Sequence, residues 1–216
     1  FETVEKTDEN GQLLYAIHNL PYETKYVVGY HEDDAYYTRS ANVTRNVTRM
    51  GDFDLLQLLI NAAGENGVVN LTRNYTYAEG FETSEYLYIN YNNITINGNG
   101  YSINFNKTGF IYINEANGIT LNNISFTGGE RQDALIYIGG DCEINDCNFT
   151  NNSVVSHNVI HQYKINTNLA VKNTNFINIT GTAIRLDDFT SASIYSCDFI
   201  NNTQAISAGG NTFNGL

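Results

Sequence analysis

Apolar and polar residues alternate along this chain in short runs that return in a fixed phase relative to phenylalanine. The clearest copies are Leu121-Asn-Asn-Ile-Ser-Phe126, Ile144-Asn-Asp-Cys-Asn-Phe149, Val171-Lys-Asn-Thr-Asn-Phe176 and Ile194-Tyr-Ser-Cys-Asp-Phe199, with phenylalanines 23, 27 and 23 residues apart. Seven positions before each Phe stand Ile119, Cys142, Leu169 and Ala192, and five before stand Leu121, Ile144, Val171 and Ile194. Both columns are apolar, as one face of a half-buried strand requires. Two positions before stand Ile124, Cys147, Thr174 and Cys197, which read as small inward fillers. Three before stand Asn123, Asp146, Asn173 and Ser196, residue types that accept a left-handed or side-chain-bonded corner. A second turn follows each Phe, and a further strand precedes each motif at 110–113, 134–138, 158–161 and 183–186. One period thus holds two or three short strands and no helix-length run. Such strands pair only with their counterparts one period away, which predicts a parallel β-helix. From about Gly67 onward the chain supplies roughly six or seven turns, each rising about 4.8 Å.

Two regions depart from this period. The run 52–63 carries apolar residues at helical spacing, acidic residues in its first turn and Gly64 at its end. It predicts a helix laying Leu55, Leu58 and Leu59 over the top of the stack. Before it, Leu13–Ile17, Lys25–Tyr30 and Ala41–Val47 read as strands separated by polar turns. The expected organisation is all-β: residues 1–50 form a small antiparallel unit, and residues 51–216 form a parallel β-helix with a capping helix at about 52–63. The last copy is short, with Phe213 only 14 residues after Phe199, and the chain begins and ends in mid-pattern. It therefore reads as a piece of a longer polypeptide.

Certain residues resemble a known family. Leu55-Leu-Gln-Leu-Leu-Ile-Asn-Ala-Ala, Leu71-Thr-Arg-Asn-Tyr-Thr-Tyr77 and Ile94-Thr-Ile-Asn-Gly-Asn-Gly-Tyr-Ser-Ile103 look like the opening of the β-helix in adhesin-like surface proteins of methanogenic archaea. Residues 20–36 resemble the C-terminal half of the immunoglobulin-like modules strung along such proteins. The resemblance implies a right-handed β-helix, a partial immunoglobulin-like unit ahead of it, and an extracellular, cell-surface location. It also implies attachment to glycans or proteins of partner cells, alongside adjoining modules of the same polypeptide.

Composition narrows the classes further. The 216 residues carry a net charge of −12, with 23 acidic against 11 basic side chains, which argues against nucleic acid as a partner. No run of about 18 apolar residues is present, so no membrane span is expected. There are 33 asparagines, 16 tyrosines, one proline and no tryptophan. Sequons begin at Asn42, Asn46, Asn70, Asn74, Asn93, Asn106, Asn148, Asn151, Asn178 and Asn201, and these are candidate glycosylation sites; an eleventh, at Asn123, falls in the corner column and is not expected to be modified.

The chemistry-bearing residues are few. Arg185, Asp187 and Asp188 form the sharpest enzymatic candidate, since β-helix glycan hydrolases use paired carboxylates as acid and base. The competing reading is a solvated turn. Asp133, Asp141, Glu143 and Asp146 come nearest to a calcium-gripping set, with surface acidity as the plainer explanation. His157 and His161 are four apart but fall on a strand, a poor zinc arrangement; His18 and His31 are isolated. No metal and no cofactor are expected. Cys147 and Cys197 share a column two turns apart, too far for a bridge, so the three cysteines read as buried free thiols, with a Cys142–Cys147 bridge as the alternative. Tyr112, Tyr137, Tyr163 and Tyr195 point outward and are candidate platforms for a ligand, against simple strand propensity. The leading expectation is a non-enzymatic adhesin-like surface protein binding partner cells or glycans. The alternative is a β-helix polysaccharide lyase or hydrolase acting on acidic glycans.

Overall fold

A computed structural model describes residues 50–187 and 191–209, together with the backbone of Lys25–Val28 and Val43–Asn46. The chain divides into two compact units, Phe1–Arg49 and Met50–Leu216. In the first, strands β1 (Lys25–Val28) and β2 (Val43–Asn46) pair antiparallel, Lys25 opposite Asn46 and Val28 opposite Val43. The expected strand at 13–17, the turns on either side of β1, and His18 and His31 lie outside the described residues.

The second unit starts with helix α1 (Asp52–Ala63) and winds through six turns of three strands. Turn one holds β3 (Val68–Asn70), β4 (Tyr75–Thr76) and β5 (Tyr86–Ile89). Turn two holds β6 (Thr95–Asn97), β7 (Ser102–Lys107) and β8 (Phe110–Ile113), and turn three β9 (Ile119–Asn122), β10 (Ser125–Gly129) and β11 (Ile136–Ile138). Turn four holds β12 (Cys142–Asn145), β13 (Asn148–Thr150) and β14 (Ser153–Gln162), and turn five β15 (Asn168–Lys172), β16 (Asn175–Ile177) and β17 (Thr180–Leu186). Turn six holds β18 (Ser191–Tyr195), β19 (Asp198–Ile200) and β20 (Gln204–Ala208). Each strand pairs in parallel with its counterpart one turn away, which builds three six-stranded parallel sheets. The unit is a parallel β-solenoid.

The registers follow the columns of the sequence. Phe126, Phe149, Phe176 and Phe199 face one another across β10, β13, β16 and β19. Their rings stack inside the solenoid at 4.7, 4.9 and 5.0 Å between centroids. The first three are fully buried. Burial of each such ring contributes about 1.5–3 kcal/mol, and stacking adds about 0.5–1.5. The corner column turns as its residue types demand, with Asn123, Asp146, Asn173 and Ser196 at φ between 48° and 54°. The turn after each Phe uses the same device at Asn151, Asn178 and Asn201. In both corners the exposed side chains form ladders: Asn173 donates to Asp146, Asn178 to Asn151 and Asn201 to Asn178. Next to them Asn152, 1% exposed, accepts the Gly129 N–H and donates to the Phe126 carbonyl one turn back. Asn202 repeats these bonds with Ile179 and Phe176.

Helix α1 packs against β3, β4 and β5. Its buried residues are Phe53, Leu56 and Ile60, with Leu55 and Leu59 packed partly against the core. Of the expected Leu55, Leu58 and Leu59, Leu55 and Leu59 reach the core only at the edge of the contact, and its centre is corrected to Phe53, Leu56 and Ile60. Phe53 makes an edge-on contact with Tyr77 at 5.4 Å. Carboxylates latch the helix start. Glu82 accepts the Phe53 and Asp54 N–H groups, Asp54 accepts from Thr83, and Asp52 pairs with Arg73 at 2.7 Å. All three cysteines are free, but only Cys142 and Cys147 are buried. Cys197 is half-buried, because the inward residues of turn six, Phe199 and Ile206 included, are less covered than those above.

Candidate functional site

The three outer faces differ in kind. On the first and second sheets the outward positions carry mostly Asn, Ser and Thr, as in Thr95, Thr120, Ser102, Ser125, Thr127 and Thr150, in register along the stack. On the third sheet the outward column runs Tyr88, Tyr112, Tyr137, His161, Arg185 and Ser207. Beside it stand Tyr86 and Phe110, paired across β5 and β8 with rings 5.1 Å apart.

Tyr88 and Tyr112 stack at 5.9 Å, and Tyr112 stacks on Tyr163 at 6.2 Å with 4° between planes. Tyr163 reaches back across Gly139, where any side chain would collide with its ring. The hydroxyls are held as well: Asn114 donates to Tyr88, and those of Tyr112 and Tyr163 lie 3.1 Å apart. Tyr112 thus has a ring stacked on either side, and Tyr88 and Tyr163 each stack on it by one face. Tyr137 stands across the ladder at 66° to Tyr112. Its hydroxyl accepts the Ala134 N–H at 3.2 Å. Burial, and then the hydrogen bond to Asp133, push Tyr137 up to about 12. Arg131 lies 4.0 Å over the Phe110 ring, ties to the Thr108 carbonyl and sits 3.7 Å from Glu85.

Below the rings the face becomes charged. Asp187 Oδ2 lies 2.7 Å from His161 Nε2, and Asp187 Oδ1 accepts from Arg185 Nε at 2.9 Å. Burial works to raise the Asp187 carboxyl, but the hydrogen bonds from His161 and Arg185 outweigh it and hold it below the usual carboxylate range. An ionised carboxylate with both oxygens engaged is a poor proton donor. Asp188 lies outside the described residues.

A groove of about 420 Å³ adjoins this cluster, lined by Val155, Asn158, Thr180, Thr182, Arg185 and Gln204 among others. It exists because β14 bulges: the chain takes five steps from Ser153 to Asn158 where its partner takes two, from Thr180 to Thr182. The bulge carries Val155 out to 61% exposure. Gly181, at φ +124°, lies under it against the Val154 and His157 carbonyls.

Of the sequence candidates, the third face gathers Tyr112, Tyr137, Tyr163, Arg185 and Asp187. It does not include Tyr195, which stands exposed on the first sheet opposite Lys172. The acidic residues weighed for calcium are dispersed: Asp133 bonds the Ala134 N–H, Asp141 accepts from Asn168, Glu143 pairs with Lys172, and Asp146 sits in the corner ladder. His157 and His161 both lie on β14. Among the sequons, Asn93, Asn106, Asn178 and Asn201 spend their amide nitrogens on internal acceptors. Asn70, Asn74, Asn148 and Asn151 use only their amide oxygens, as acceptors. Asn42 and the Asn46 side chain are outside the described residues. Sequence reading weighed His161 only as a zinc ligand beside His157 and missed both its pairing with Asp187 and the bulge, although the 27-residue interval marks the turn that contains them. Among the described residues no helix is long and apolar enough to cross a membrane. In comparisons with known proteins, the chain matches no family model, no curated protein and no solved structure.

Proposed function

We propose that this chain is a segment of an extracellular, adhesin-like surface protein that binds glycans of partner cells without turning them over, using the outer face of its third sheet. The observation that supports this is the asymmetry of the faces. A scaffold with no ligand has no reason to place Tyr86, Tyr88, Phe110, Tyr112, Tyr137, His161 and Arg185 on one side while the other two sides repeat mostly Asn, Ser and Thr. Aromatic residues and arginine are the types enriched where proteins meet partners, and amphipathic rings suit a polyhydroxylated one. In this reading the solenoid winds right-handed, as parallel crossover connections do. Helix α1 serves as the cap that shields the first turn's strand edges, and residues 1–50 are part of an immunoglobulin-like module.

Immobilised glycans and whole cells, probed with the purified chain, test the reading. Saturable binding is expected, with no shortening of the polysaccharide. Tyr112→Ser weakens it, and Tyr195→Ser, on a different sheet, leaves it unchanged. Release of oligosaccharides that stops on Asp187→Asn would instead identify a polysaccharide-cleaving enzyme.

A further inference from the structure

The groove beside Arg185 is lined by several side chains with unspent hydrogen-bonding capacity, and its one cationic side chain is paired with Asp187. Asn158 is only 6% exposed, yet its carboxamide has no hydrogen-bond partner among the described residues and lines the groove. The terminal nitrogens of Arg185 are likewise unpaired there, since only Nε is used by Asp187. Gln204 accepts from the Thr182 hydroxyl at 2.9 Å, which leaves its amide nitrogen to donate. Thr180 and Ser207 add hydroxyls to the wall. An amide that meets only solvent at the groove wall is free to exchange that contact for a ligand hydroxyl.

We propose that this groove is a subsite for one neutral, polyhydroxylated sugar unit of the bound glycan; this rests on the glycan-binding reading above and names the class of sugar. Neutrality follows from charge. The one cation in the wall is already matched by Asp187 at 2.9 Å, and the chain carries −12, so its field opposes a polyanion. The donors and acceptors that remain, amides, hydroxyls and a compensated guanidinium, match vicinal hydroxyl groups. The bulge makes the site: in a regular rung Asn158 would stand in line with its neighbours and no concavity would form. Val155 offers the apolar side that a sugar's C–H face packs against.

Binding isotherms with neutral glucose-, mannose- and xylose-based hexasaccharides and with hexagalacturonate separate the possibilities. At least one neutral hexasaccharide is expected to bind more than about tenfold tighter than hexagalacturonate. Its affinity is expected to be nearly constant between about 50 and 500 mM salt. Arg185→Met and Ser207→Trp, which remove the donors and fill the groove, should each weaken it by at least about tenfold at unchanged melting temperature. Equal or tighter binding of hexagalacturonate, or neutral binding indifferent to both groove variants but lost on Tyr112→Ser, overturns the subsite and leaves the wider reading standing. Absence of binding to every glycan overturns both.

Discussion

Two aromatic ladders climb this solenoid, one inside its second sheet and one outside its third, and they are built on different principles. The inner ladder advances one ring per turn in strict register, from Phe126 to Phe199, with planes within 16° of parallel. Its geometry is dictated by strand spacing, because each ring projects from the same position of successive strands. The outer ladder is improvised. Tyr163 stacks on Tyr112 although it belongs two turns further on, by leaning over Gly139, while Tyr137 in the turn between stands crosswise. The inner rings have no polar group to satisfy and no alternative place to go. The outer rings are positioned by side-chain reach and by hydroxyl partners. The first arrangement maintains the fold, and the second leaves room for variation on a surface that water and ligands can reach.

The comparison has measurable consequences. Phe149→Ala removes a fully buried ring between two stacked neighbours and is expected to cost about 3–5 kcal/mol in denaturant unfolding. Tyr112→Ser, half-exposed, should cost clearly less; equal losses would abolish the distinction. Asn152→Ala orphans the Gly129 N–H and the Phe126 carbonyl and should cost about 1–3 kcal/mol. A loss below the scatter of surface mutants would mean water takes over its bonds. The interior also responds to alkali. Burial pushes the Cys147 thiol up to about 12 and raises Cys142 as well. Both thiols stay protonated in the folded chain while those of the unfolded chain ionise near pH 8.5–9. Stability should be level below that range and fall as pH rises toward the folded values, by on the order of 1 kcal/mol at pH 9.5. Thermal melts in a pH series check this, and Cys147→Val should reduce the slope. Smallest is Tyr112→Phe, which removes one hydroxyl pair and should shift stability by under about 1 kcal/mol.

Much of the solenoid can be read from sequence because its periodic positions have few admissible residues. Asn123, Asp146, Asn173 and Ser196 announce a left-handed corner, and Leu121, Ile144 and Val171 announce a buried strand face. The same reading placed the helix at 52–63 but centred the packed face on Leu55, Leu58 and Leu59, of which Leu55 and Leu59 sit at its edge. Apolar residues occupy 53, 55, 56, 58, 59 and 60, an arc too wide for periodicity to select the edge that meets the first turn. The site was legible in part. Tyr112 and Tyr137 could be assigned outward from alternation alone, but Tyr195 could not be assigned to another sheet without counting strands per turn. The pairing of His161 with Asp187 spans 26 residues and a bulge, and no local pattern encodes either.

The one-turn registers have an evolutionary corollary. Corner residues and inner rings mostly meet chemically similar residues one turn away, so excising or duplicating a complete rung, for instance the segment from Ile119 through Asp141, rejoins compatible surfaces. The height of such a tower can therefore drift over generations while its cross-section stays constant. The swollen rung carrying the β14 bulge is the exception: it has no interchangeable twin, and its loss would take the groove with it.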